Sequence, residues 1–277
     1  MPYFNRGSAR LYYEDKGAGD PVIAVAGLME NTAYWELTGV ADEISQYFRF
    51  VAMDMRGHGY TEVEGDAPGF DCETVGEDII ALADHLGLDR FHLLTHSTGG
   101  FAGVRYAMKD CSRFASLILT NTASVTSPVP GDRQVIDQFH DNFAALFEKL
   151  DWETMIAGLK DRPGPFFRGI VESENAGEML ATALSMAKRN NRFVIAEFVR
   201  SFYKDPDPRI EGLHGITCPV LIVYGTKDDL FVESSRLMAK QIPGAQLLEY
   251  EGIGHMTAIE APQRLASDVL DFLRTPA

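Results

Sequence analysis

His92-Leu93-Leu94-Thr95-His96-Ser97-Thr98-Gly99-Gly100 joins a short run of buried-strand character to a helical pattern through a serine followed at once by glycines. A residue at the apex of so sharp a strand-to-helix turn is held in strained backbone, so its neighbours two places away must be small enough for strand and helix to approach. Gly99 and Gly100 meet that need. Thr95 stands where a third small residue is usual, and its branched side chain has to be accommodated by neighbouring strands. Read alone, Ser97 is either an exposed nucleophile or a helix cap, since serine is common at helix starts.

Outward from this turn, short β-branched or apolar runs alternate with longer helical patterns, which predicts a mostly parallel sheet with helices on both faces. Strands are expected at Val22–Ala26, Arg49–Met53, Phe91–Thr95, Leu117–Thr120, Val220–Tyr224 and Gln246–Tyr250. Each stops where polar residues and glycines begin, and the carboxyl ends of such strands are where ligands and reactive groups gather. Thr74-Val75-Gly76-Glu77 has capping-box spacing, and Val75, Ile79, Ala83 and Leu86 mark the apolar face that follows. Leu265, Val269, Leu270, Phe272 and Leu273 mark a final helix. Between Asn121 and Val220 only helical periodicity is found, with a long helix through Phe139, Phe143 and Phe147 and three more beyond it. Residues 1–125 and 213–277 are therefore assigned to one α/β core, and 126–212 to a helical insertion.

Composition narrows the function classes. The 277 residues, 45% of them hydrophobic, suffice for one large domain with a buried core. A formal charge of −15 disfavours nucleic acid and anionic lipid as partners. Cys72, Cys111 and Cys218 are too widely spaced for a zinc knuckle or redox pair and are expected to be reduced. No apolar run resembles a signal sequence or a membrane span, so the expected location is the cytoplasm. No metal-ligand spacing and no dinucleotide fingerprint is present, and no cofactor is implied.

A nucleophilic serine needs a base, and the base an orienting carboxylate. Gly225-Thr226-Lys227-Asp228-Asp229 follows one strand and Gly252-Ile253-Gly254-His255-Met256 follows the next. The chain order Ser97, acid, His255 matches that of the α/β-hydrolases. Asp228 is the preferred acid, with Asp229 the alternative. Asp54-Met55-Arg56-Gly57-His58-Gly59 and the sequence from Gly254-His255 to Glu260 and Pro262 are similar to two further loops of that family. The chain thus resembles an α/β-hydrolase over nearly its whole length, with a helical cap inserted in the middle. The short matches resemble enol-lactonases at Asp54–Gly59 with Asn121-Thr122-Ala123, and cofactor-free haloperoxidase-like esterases at His96–Gly100.

The resemblance implies an oxyanion hole from the backbone amides of Leu28 and Thr98. Ala26-Gly27 replaces the frequent His-Gly pair at that loop. An apolar cleft beneath the cap is expected, with Met29, Trp35, His96, Phe143, Trp152 and Met256 as candidate substrate contacts. His85, His140 and His214 are read as surface or capping residues, and His58 as a brace between loops. The expected activity is hydrolysis of a carboxylic ester or lactone of a small, mostly apolar substrate through an acyl-enzyme. Three alternatives stay open: a hydrolase of the carbon–carbon bond of a ring-fission diketone, a cofactor-free oxygenase suggested by His96-Ser97, and a non-catalytic receptor. An apolar face of the cap could serve as a homodimer surface.

Overall fold

The computed structural model describes residues 2–65, 68–123, 133–203 and 210–275. The chain opens with β1 (Tyr3–Arg6), β2 (Ala9–Lys16) and β3 (Pro21–Val25), then α1 (Ala33–Glu36), α2 (Val40–Ser45), β4 (Arg49–Met53) and the short β5 (Glu62–Val63). It continues through α3 (Cys72–His85), β6 (Phe91–His96), α4 (Ser97–Lys109) and β7 (Phe114–Thr120). Five helices follow: α5 (Arg133–Lys149), α6 (Trp152–Gly158), α7 (Gly164–Val171), α8 (Ala176–Ala187) and α9 (Arg192–Phe202). A 3-10 helix (Ile210–Gly215) leads to β8 (Val220–Gly225), α10 (Val232–Gln241), β9 (Gln246–Tyr250), α11 (Thr257–Glu260) and α12 (Pro262–Arg274).

The strands form one sheet in the order β1-β2-β4-β3-β6-β7-β8-β9, with β5 paired to β2. The six strands expected from sequence are its parallel part, and β1, β2 and β5 add antiparallel pairs at one edge. Alternation along β3 divides the core, because successive strand side chains face opposite sides. Ile23 and Val25 pack with Val75 and Ile79 of α3 and Ala102 of α4, whereas Val22 and Ala24 pack with Ile44 of α2 and Val269 of α12. With both faces covered by helices, every parallel strand ends at the same edge of the sheet. This fixes where the polar loops meet.

Three readings require correction. The cap of α3 is Asp71, not Thr74: Asp71 Oδ1 accepts from the Thr74 amide at 2.8 Å, and Thr74 is the third residue inside the helix. A carboxylate three residues earlier satisfies the first-turn amides before Thr74 is reached. Four helices, not three, follow α5, because Pro163, Pro165 and the glycines Gly164 and Gly169 interrupt the apolar periodicity by which α7 would be read. Finally, the boundary expected at 212 falls inside the 3-10 helix, which packs on α4 through Gly212 and Met108 and so sides with the core. The boundary expected at 125 lies outside the described residues. Among the described residues, all three cysteines are free and no helix is long and apolar enough to cross a membrane.

Candidate active site

β6 ends at His96 and α4 begins at Ser97, whose φ of +46° lies in the left-handed region that side chains avoid. The turn is forced by close packing on both sides. A Cβ at Gly99 would sit 2.5 Å from the Ala26 carbonyl oxygen, and one at Gly100 would overlap the Thr122 side chain. The Gly99 amide donates to Ala26 O at 3.1 Å, and Thr122 Oγ1 donates to Ser97 O at 2.6 Å. Thr95 is accommodated by a hydrogen bond from its Oγ1 to Ile118 O at 3.1 Å and by Gly103 on α4, where a Cβ would press on the Thr95 methyl.

Because Ser97 holds positive φ, Ser97→Gly is expected to be more stable than Ser97→Ala by about 1 kcal/mol, the reverse of the usual order. Differential scanning calorimetry should place the glycine variant roughly 2–4 °C higher. Equal midpoints would show that the turn carries no strain.

The side chains that sequence placed at three strand ends meet here. His255 Nε2 lies 3.1 Å from Ser97 Oγ, and His255 Nδ1 lies 2.8 Å from Asp228 Oδ2. All three residues are buried. Of the two acid candidates, Asp228 takes the imidazole, while Asp229 is exposed and pairs with Arg168 at 3.0 Å. Asp228 Oδ2 also accepts from Asn121 Nδ2 at 2.7 Å, and Oδ1 from the Leu230 amide at 3.3 Å. Asn121 holds φ +45° at the end of β7 and donates as well to Gly254 O at 3.2 Å, tying the acid to the histidine loop. Glu260 clamps that loop, accepting from the Gly254 amide at 2.6 Å and the Met256 amide at 3.0 Å.

Burial opposes charge on both partners of the imidazole–carboxylate pair. For His255 the nearby Asp228 carboxylate outweighs that penalty and raises its pKa above the ordinary 6.5. For Asp228 the burial penalty is outweighed by His255 and by donors from Asn121 and Leu230, which hold it below its ordinary range.

The turn over Ser97 is Gly27-Leu28-Met29-Glu30, closed by a hydrogen bond from the Glu30 amide to Gly27 O at 3.2 Å, with Met29 at φ +66°. A Cβ at Gly27 would come within 2.8 Å of Ser97 Cβ, so the turn lies directly on the serine. Among the described residues, neither the Leu28 nor the Thr98 amide donates to a backbone or side-chain acceptor. The Thr98 amide belongs to the first turn of α4, where no intrahelical acceptor exists.

The remaining sequence candidates divide. Leu28, Met29, Phe143 and Trp152 come together in one small apolar cluster with Tyr203, at the junction of the turn and the five-helix insertion. Trp35 and Met256 belong instead to a second apolar cluster that joins one face of the sheet to helices α6–α8 of the insertion, Trp35 edge-on to Tyr34 at 4.8 Å. His96 has no exposed surface: its Nδ1 meets Thr120 Oγ1 at 3.0 Å and its ring stacks on Tyr34, so its expected contact with substrate is not made. Alternation along β6 turns Thr95 toward α4 and His96 to the other face of the strand, where its ring lies 4.8 Å from that of His255. Among the described residues His58 hydrogen-bonds within its own loop, Nδ1 to Arg56 O at 3.0 Å, and meets Phe198 of α9 edge-on.

Several residues around the site could not be singled out from sequence: Phe166 and Tyr203 are two of the many aromatics of the insertion, and Phe231 and Asn190 carry no pattern of their own. Phe166 and Phe231 flank the His255 ring at 4.9 and 5.2 Å, and Tyr203 OH lies 2.6 Å from Thr98 Oγ1. Asn190 joins the insertion to two strand-end loops, donating to Met29 O at 2.6 Å and accepting from the Gly59 amide at 2.7 Å. No periodicity signals a polar residue whose partners are backbone groups more than a hundred residues away. Asp54 was legible as a loop signature but not in role: it accepts from the Thr32 and Tyr60 amides at 2.6 and 2.8 Å, and burial pushes its carboxyl up to about 7.

Residues 20–262 match the family model of the alpha/beta hydrolase fold. The chain belongs to this family. It is 30% identical over 276 residues to "Putative carbamate hydrolase RutD" of Rhizobium rhizogenes, covering 95% of this chain and 98% of the relative. A 2-hydroxymuconate semialdehyde hydrolase of Pseudomonas sp. is 26% identical over 269 residues, covering 95% and 90%. The enol-lactonase structure from Burkholderia xenovorans superposes with a TM-score of 0.81 at 24% identity, covering 99% of this chain and all of that one. The α/β-hydrolase fold, expected from the elbow and the loop signatures, is the fold observed, and this chain is a hydrolase of that fold.

Proposed function

We propose that this hydrolase cleaves a carboxylic ester or lactone of a small, mostly apolar substrate through an acyl-enzyme on Ser97. The observation that carries the reading is the hydrogen-bonded line from Ser97 Oγ through His255 to Asp228, with the serine at the strained apex of its turn. Ser97 Oγ attacks the carbonyl carbon while His255 Nε2 takes its proton, and Asp228 keeps the other ring proton on Nδ1. The tetrahedral oxyanion is held by the Leu28 and Thr98 amides, which have no protein acceptor among the described residues. His255 then returns the proton to the leaving oxygen, which departs as an alcohol or, for a lactone, as the far end of the same molecule. A water, deprotonated by the same imidazole, releases the acid and restores Ser97.

The five-helix insertion acts as a cap. It contributes Phe166 against His255 and Tyr203 beside Thr98, so the walls near the reacting atoms are aromatic. Such walls favour a neutral, apolar acyl group. The names of the relatives supply the competing leaving groups, a carbamate nitrogen and the carbon of a semialdehyde, since either could leave from the same acyl-serine chemistry.

The test joins labelling with a substrate panel. A fluorophosphonate should add once, at Ser97, and the addition should be lost in Ser97→Ala. An aryl ester and an enol-lactone should then turn over faster than an aryl carbamate or a ring-fission diketone. Labelling at Ser97 with turnover of the carbamate or diketone alone would replace the ester reading, and absence of labelling would remove the nucleophile. In kcat/KM against pH, the acid limb should lie above 6.5, because the base must be neutral and Asp228 stabilises its protonated form. A limb at or below 6.5 would mean that Asp228 is not acting on the base.

A further inference from the structure

Asn190 lies between α8 and α9, where the insertion meets the strand-end loops, and it is buried although polar. The orientation of its carboxamide follows from its partners. The Gly59 amide can only donate, so the atom 2.7 Å from it is Oδ1; the Met29 carbonyl can only accept, so the atom 2.6 Å from it is Nδ2. Asn31 Nδ2 adds a longer bond to Oδ1 at 3.3 Å and donates also to Met186 O at 3.0 Å. Trp152 Nε1 donates to the Asn190 carbonyl at 3.1 Å, which fixes the main chain of the same residue. The far side of the bridge is itself anchored, since the Tyr60 amide next to Gly59 donates to Asp54 just past β4.

What Asn190 holds is a strained residue. Met29 sits at φ +66°, a conformation that a residue with a Cβ leaves unless its surroundings hold it there. Among the described residues its carbonyl receives one hydrogen bond, the one from Asn190. Leu28, which precedes it in the Gly27–Glu30 turn, carries the amide assigned above to the oxyanion. Relaxation of Met29 would rotate the peptide plane next to Leu28 and shift that amide. A misplacement of about 1 Å in a group that orients the reaction can cost on the order of 10²-fold in rate.

We propose that Asn190 is a positioning residue for the oxyanion turn: by holding the Met29 carbonyl against the strain of its own backbone, the insertion sets the place of the Leu28 amide, which the core alone does not fix. The proposal deepens the acyl-enzyme reading and rests on it for the effect on rate, though not for the hold on the turn. It makes the insertion part of the machinery that meets the developing charge as well as a wall over it. The α8–α9 end must therefore be docked on the turn when the carbonyl is attacked.

A double-variant cycle with Met29 tests it. Asn190→Ala should lower kcat on an aryl ester about 10²-fold with little change in KM, because the turn is needed in the transition state more than in binding. Met29→Gly removes the strain that Asn190 opposes, so adding it to Asn190→Ala should return about tenfold in kcat, a gain it does not give beside an intact Asn190. A residue that only packs the insertion would show no such rescue, and its absence overturns the proposal. Asn190→Ser carries the same cycle if the alanine variant does not fold. Amide exchange followed by NMR provides an arm that needs no activity. The Glu30 amide, bonded to Gly27 O within the turn, should exchange at least about tenfold faster in Asn190→Ala, together with the Gly59 amide. Faster exchange at Gly59 with Glu30 unchanged would show that Asn190 does not hold the turn. A wild type that hydrolyses nothing, with the expected exchange, removes only the acyl-enzyme reading, whereas an active wild type whose Asn190→Ala variant keeps its kcat removes the positioning role.

Discussion

Ser97→Ala and His255→Ala should each lower kcat on the best aryl ester by at least about 10⁴, and the double variant should lose no more than either alone. The reason lies in how the two side chains depend on each other. Among the described residues the base hydrogen-bonded to Ser97 Oγ is His255 Nε2 at 3.1 Å, and in the acylation step that base acts on Ser97. Removing either leaves the same site, in which, on the acyl-enzyme reading, the Leu28 and Thr98 amides would still polarise a carbonyl for slow attack by water. The residual rate is therefore a property of the turn and the helix start, not of the triad, and should be common to all three variants. Single-turnover kinetics with active-site titration measures it. Losses that multiply in the double variant would mean that serine and histidine act in separate steps, and an active Ser97→Ala would end the acyl-enzyme reading.

How much of this site was legible depends on whether a residue's partners lie along the chain or across it. Ser97, Asp228 and His255 each stand just past a strand, and strands in a parallel sheet end at one edge, so chain order and position were enough to bring them together. Arg49–Met53 and Gln246–Tyr250 were bounded to the residue: Asp54 ends the first, and Pro243-Gly244 and Glu251-Gly252 flank the second. β1 and β2 were not anticipated: Tyr3-Phe4-Asn5-Arg6 and Ala9–Lys16 mix charge with aromatics, as an antiparallel edge with a solvated face does. Asn190 carried no signal, since it is a polar residue whose partners at Met29, Asn31 and Gly59 lie more than a hundred residues away. Trp35 was misplaced for the opposite reason. A large aromatic near the oxyanion turn suggests a pocket wall, but α1 rotates it into the core against Tyr34, where its whole surface is covered.

Asp228→Asn should cost less than Asp228→Ala, and Asn121 should be the reason. An amide in place of the carboxylate can present its oxygen or its nitrogen to His255 Nδ1. If nitrogen, the imidazole proton is driven to Nε2 and the base can no longer accept from Ser97. In this site that orientation would set the new amide against Asn121 Nδ2, a donor 2.7 Å from the same oxygen position. Asn121 cannot turn over to relieve it, because Nδ2 also donates to Gly254 O at 3.2 Å. The opposite orientation conflicts only with the Leu230 amide, a longer contact at 3.3 Å. The oxygen should therefore face His255, and the tautomer should survive. What is lost is the negative charge that favours the imidazolium, which one to three pKa units of interaction make worth roughly 10–10³-fold in rate. The acid limb should move to lower pH in the same variant, since a base without its carboxylate partner protonates less readily. Asp228→Ala loses orientation as well and should fall about 10⁴-fold. Adding Asn121→Ala to Asp228→Asn removes the donor that selects the orientation, so the double variant should drop toward the alanine level while Asn121→Ala alone stays far above it. Equal losses in Asp228→Asn and Asp228→Ala, with no further loss in the double variant, would show that Asn121 does not choose the tautomer.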